Sequence, residues 1–133
     1  MSRPCRFLFL LLLASCPLAS AYEPIPRRLP PAGKEIPEEA RASLATELAA
    51  LRQKARDLVS HALLPDAEIH LKAVELALEF GEFYDPKKDV AKAERTLAAA
   101  RMRLDHLAKG FSPWTGQRGL VVRGYRSSID RSA

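Results

Sequence analysis

From Pro37 the chain reads EEARASLATELAALRQKARDLVSHALL, and its apolar residues return at alternating steps of four and three: Leu44, Leu48, Leu51, Ala55, Leu58 and Ala62. That spacing puts them on one face of a helix and leaves Arg52, Lys54, Arg56 and Asp57 largely off it. Pro37 suits the first helical position, and Glu38 and Glu39 favour the positive helix start. Pro65 ends this segment, and Asp66 is placed to cap the next, DAEIHLKAVELALEFGEFYD, in which Ile69, Ala73, Leu76 and Phe80 form an apolar row. Asp85-Pro86 restarts the pattern with aspartate as N-cap. Val90, Ala93, Leu97, Ala100, Leu104 and Leu107 make the third stripe, and Gly110 stops it. Three stripes joined by short loops predict a mainly α fold, a small three-helix antiparallel bundle over 37–110, because only facing stripes shield each other from water. The stripes are rich in alanine, which buries little area per residue, so the core is expected to be thin.

The flanks have another character. Residues 1–21, MSRPCRFLFLLLLASCPLASA, place Arg3 and Arg6 before an apolar run and small residues at Ala19 and Ala21. This is the layout of a secretory signal peptide cleaved after Ala21, and it predicts an exported protein, periplasmic or extracellular. Leu13-Ala14-Ser15-Cys16 also fits a lipobox, so a lipid anchor on Cys16 at the membrane is the alternative. Both cysteines, Cys5 and Cys16, fall in this leader, so a mature chain beginning at Tyr22 would form no disulfide. Residues 22–36 are proline-rich and read as an extended linker. Residues 111–133, FSPWTGQRGLVVRGYRSSIDRSA, turn aromatic, β-branched and glycine-containing, and Leu120, Val121 and Val122 read as a strand with no partner in the chain. Trp114, just past the last helix, is placed to cover the end of the bundle. An edge strand can add to another protein's sheet, which makes Trp114, Leu120, Val121, Val122 and Tyr125 candidate interaction residues.

Charge and candidate chemistry narrow the picture. The formal charge is +5, yet residues 22–110 carry 15 basic and 15 acidic side chains; the surplus lies in the leader and in Arg118, Arg123, Arg126 and Arg131 of the tail. A basic body that tracks phosphates is therefore missing, and nucleic acid is not an expected partner. His61, His70 and His106 form no His-x-x-x-His pair and have no cysteine to complete a zinc set, so no metal or other cofactor is expected. Glu75, Glu79 and Glu82 read as a solvated helix face. Ser127 and Ser128 lack a Gly-x-Ser-x-Gly elbow, and Gly116, Gly119 and Gly124 precede no helix start that could hold phosphate. The expectation is a chain with no catalytic residues of its own.

From Leu64 onward the chain resembles the N-terminal region of secreted bacterial hydrolases of the prolyl oligopeptidase type. The residues that carry the resemblance are Pro65-Asp66, Gly81-Glu82-Phe83-Tyr84, Pro113-Trp114 and Arg123-Gly124-Tyr125-Arg126-Ser127-Ser128-Ile129-Asp130. The resemblance implies a helical module preceding an α/β-hydrolase domain with a serine nucleophile, an acid and a histidine, none of which falls within this chain. Where the pattern runs on as Asp-Gly-Ser, this sequence has Asp130-Arg131-Ser132-Ala133. Two expectations follow: a non-catalytic helical module whose hydrolase domain is missing, or a self-standing exported helical protein that binds a partner protein through its tail.

Overall fold

A computed structural model describes Leu29 and residues 31–129. All elements lie in one unit, Pro31–Ala133. Helix α1 spans Glu38–Arg56, α2 spans Pro65–Phe80, α3 spans Pro86–Ala108, and a 3-10 turn follows at Pro113–Gly116. The fold is mainly α, a three-helix bundle. Cross-links between the helices give their directions. Arg101 meets Glu47 at 2.7 Å and Lys54 meets Asp105, so α1 and α3 run in the same sense. Arg52 pairs with Glu75, and the Arg41 guanidinium donates to the Leu78 carbonyl at 3.1 Å, so α2 runs against them.

The first and third stripes form as their spacing predicts. In α1, Leu44, Leu51 and Ala55 are buried, with Leu48 and Leu58 packed against them. In α3, Ala93, Leu97, Ala100, Leu104 and Leu107 are buried, and Val90 is partly so. Each fully buried leucine contributes about 1.5–3 kcal/mol. Two boundaries differ from expectation. Pro37 stands one residue earlier than anticipated, as the residue preceding α1, where its carbonyl accepts from Arg41 N–H at 3.0 Å. The first helix stops at Arg56, and Ala62 is exposed. Beyond it the N–H groups of Leu58, Val59, His61 and Leu64 reach back only three residues, and Leu63 N–H donates to His61 Nδ1 at 3.2 Å, which makes a run of tight turns instead of further α-helix.

The second stripe is the main departure. Its buried residues are Ala67, Leu71 and Val74, with Leu78 packed against the core, whereas Ala73, Leu76 and Phe80 are exposed and Ile69 is only partly covered. At 3.6 residues per turn the two rows lie on roughly opposite sides of α2. The sequence holds two apolar stripes in this helix, and the bundle takes the one not expected.

The ends of α2 and α3 are closed locally. Gly81 takes a left-handed conformation, φ 64°, and Glu82 N–H returns to the Ala77 carbonyl at 3.0 Å, which turns the chain so that Phe83 can bury. At the start of α3 the Asp85 carboxylate accepts from Lys88 N–H at 3.3 Å, while Asp89 accepts from the N–H groups of Tyr84 and Asp85, each at 2.8 Å. The end of the proline-rich segment docks on this same corner. Gly33 lies against the backbone of Gly81, Lys34 N–H donates to the Phe83 carbonyl at 2.6 Å, and Ile36 is buried.

Candidate functional site

Asp66 was expected to cap α2, but it does something else. Pro65 occupies the first helical position, so Asp66 lies one residue inside and makes no cap. Its side chain is 1 % exposed and turns toward the tail. Trp114 Nε1 donates to it at 2.9 Å, Gly124 N–H donates at 2.8 Å, and the single Nε–H of Arg123 is shared between its two oxygens at 3.0 and 2.9 Å. The Asp66 backbone carbonyl accepts from the Arg103 guanidinium, which also lies over the Trp114 ring, 5.1 Å from its centroid. Burial alone would push the Asp66 carboxyl up. The hydrogen bonds from Trp114, Arg123 and Gly124, with the charge of Arg123, outweigh it and hold the group below its ordinary value.

Gly124 completes this contact. A Cβ at that position would stand 1.9 Å from the Pro65 carbonyl oxygen, so only glycine lets the tail backbone lie on the first turn of α2. Among the described residues the tail forms no strand. The reason is physical: strand pairing needs a neighbouring backbone ladder, and the tail's hydrogen bonds go to a carboxylate instead. Ser127 Oγ accepts from Ile129 N–H at 3.2 Å in a closing turn.

The tail and the uncovered side of α2 enclose a half-open groove of ≈ 670 Å³. Ile69, Ala73 and Leu76 form one wall, Val122 and Tyr125 the other, with His70 alongside. Tyr125 is 81 % and Phe80 66 % exposed. The expected interaction residues therefore separate. Val122 and Tyr125 line the groove, Leu120 is fully exposed away from it, Val121 packs on the core, and Trp114 is buried and so withdrawn from any partner. Cys16 and the cleavage position after Ala21 lie outside the described residues. Phe80, Ile69, Ala73 and Leu76 were identified as apolar but assigned to the core, so the surface they make was missed.

The histidines stay apart. His61 accepts within its own turn; His106 meets Phe111 edge-on at 4.8 Å and stacks on Trp114 at 6.3 Å. His70 Nε2 is buried with no hydrogen-bond partner. Burial first, then the charge of Arg103, hold the His70 imidazole below its ordinary value, partly offset by Asp66. Among the described residues no three His, Cys, Asp or Glu side chains are grouped to hold a metal ion, and no helix is long and apolar enough to cross a membrane. Glu75, of the glutamate row, is taken by Arg52. Compared with known proteins, the chain matches no family model, no curated protein and no solved structure.

Proposed function

We propose that this chain is an exported, non-catalytic protein-binding module, and that the outer face of α2 together with the tail is its contact surface. The observation that carries the reading is the second apolar stripe of α2. A helix that pays into the core on one side only is expected to be polar on the other, and an uncovered apolar stripe with a groove beside it is the usual mark of a binding surface. Asp66 supports it, since three donors converge on one buried carboxylate to hold the groove's second wall in place. Arg3, Arg6 and the apolar run after them support export.

The test is site-specific photocrosslinking in the producing cell, with a photoreactive residue at Phe80 or Tyr125 and a control at exposed Glu94 on α3. Adducts at the first two sites and not at the third are expected. Equal labelling at all three, or none, removes the contact surface. The resemblance of residues 64–130 to the N-terminal regions of prolyl-oligopeptidase-type hydrolases favours a second version, in which an α/β-hydrolase domain covers this face; an adduct carrying hydrolase peptides would select it.

A further inference from the structure

Past Gln117 the tail has little apolar hold on the bundle. Val121 packs on the core, but Leu120 is fully exposed, and Val122 and Tyr125 are largely so. Arg126 meets Glu68 at 3.3 Å in an exposed pair of the kind that adds little. The buried anchor of this segment is Asp66, whose oxygens Arg123 and Gly124 share with Trp114. His70 stands one helical turn beyond Asp66 on the same face of α2, the i, i+4 relation, and lines the groove that Arg123 and Gly124 also border. Its Nε2 is shielded from water and has no hydrogen-bond partner. A neutral imidazole tolerates this by keeping its proton on Nδ1. A protonated one does not, because its Nε2–H would be a charged donor with no acceptor.

The charges around the ring add to that cost. Arg103 comes from α3 and Arg123 from the tail, with Lys72 and the Tyr125 phenol lining the same groove; His106 of α3 stacks on Trp114. Against them stands Asp66, already occupied, while Glu68 is paired with Arg126. We propose that His70 is an acid-sensitive release for the tail: once protonated, its imidazolium replaces Arg123 and Gly124 on the Asp66 carboxylate, and residues 122–127 lift from α2. The closed state offers the proton no acceptor, whereas the open one offers both water and a carboxylate placed N-terminal to the cation, the favourable order along a helix. Burial and Arg103 hold the closed-state imidazole below its ordinary value of 6.5. The closed state is therefore fully favoured above that pH, and below it the open-to-closed ratio rises by at most about tenfold per pH unit. As control of the contact surface this rests on the protein-binding reading above; as a motion of the tail it does not.

Nuclear magnetic resonance of the 15N-labelled full chain from pH 8 to pH 5 tests the release with no partner present. Below pH 6.5 the backbone order parameters of residues 122–127 should fall from about 0.85 toward about 0.6. The Gly124 amide and the His70 ring should share one midpoint, while Leu97 and Leu104 in α3 stay ordered. In His70→Gln, which cannot take the proton, the tail should remain ordered down to pH 5. A tail equally ordered at both ends of the range, a midpoint that follows His106 instead, a release that persists in His70→Gln, or helices that lose order together with the tail would overturn the inference. The wild-type titration decides by itself if the variant folds poorly. A tail that releases with His70 while the Phe80 and Tyr125 crosslinks capture nothing leaves the switch standing and removes the contact surface; a fixed tail with specific crosslinks does the reverse.

Discussion

Helices α2 and α3 begin alike and end up in different situations. Each starts beside a proline and an aspartate, each carries apolar residues at helical spacing, and each is followed by a glycine turn. In α3 the aspartate precedes the proline, caps the helix, and leaves one stripe to bury. In α2 the aspartate follows the proline, cannot cap, and serves as the anchor for residues 114, 123 and 124; the helix then carries a stripe on each side. The order of two residues decides whether an aspartate acts locally or across the fold. The number of stripes decides whether a helix is finished by its own bundle or left with a surface to cover.

The sharpest way to break this contrast is to truncate one leucine on each side of α2. Leu71→Ala, on the core side, should cost about 2–5 kcal/mol in urea unfolding, while Leu76→Ala on the outer side should cost less than about 1 kcal/mol. Equal losses would mean that α2 has one buried face after all. Next comes the pair of aspartates. Asp66→Ala leaves the Trp114 and Gly124 N–H groups and the Arg123 charge without their acceptor, and should cost about 3 kcal/mol. Asp85→Ala removes only a cap on an exposed turn and should cost less than about a third as much. Thermal melts of the two variants side by side decide it. Gly124→Ala should free the tail while the bundle persists, seen as faster hydrogen exchange over residues 120–127 with little change in α3.

The smallest effect sharpens the comparison through pH. The folded-state value of Asp66 is depressed, so its contribution is complete above the ordinary carboxylate value of 3.8 and is lost as pH falls below it. His70 is also depressed; the unfolded chain then binds the proton more readily, and stability should begin to fall once pH drops below the ordinary histidine value of 6.5. Unfolding curves from pH 8 to pH 3 should therefore decline in two stages, with His70→Asn flattening the first and Asp66→Asn the second. A single decline untouched by either variant would rule out both assignments.

How much of this could be read beforehand varied with the physics of each part. The α3 stripe was fully legible because its six apolar positions share one side and its cap, Asp85, lies three residues from its donor, the Lys88 N–H. In α2, Ile69, Ala73, Leu76 and Phe80 step as regularly as Ala67, Leu71, Val74 and Leu78, and periodicity alone has no means of choosing between them. The choice comes from the neighbouring helices. What was available was the surplus itself, since α2 holds more apolar residues than one side can use. Asp66 was illegible for a different reason: its donors stand 48, 57 and 58 positions later, and no local pattern announces so distant a bond. Val121 and Val122 have strand-forming side chains, yet a strand is a property of two backbones, and the second is not present among the described residues.

The span between Asp66 and Gly124 also sets an order in time. A chain is made from its N-terminus, so α2 is complete more than forty residues before the segment that supplies Arg123 and Gly124 exists. Until then the Asp66 carboxylate must remain hydrated, and the first turn of α2 stays open to water. The helices can gather early, but the groove acquires its second wall only after residue 124 has emerged. The groove therefore closes only after the bundle's helices have been made, and a protease that removed the segment beyond Val122 would return α2 to that earlier, unlatched state without unmaking the bundle.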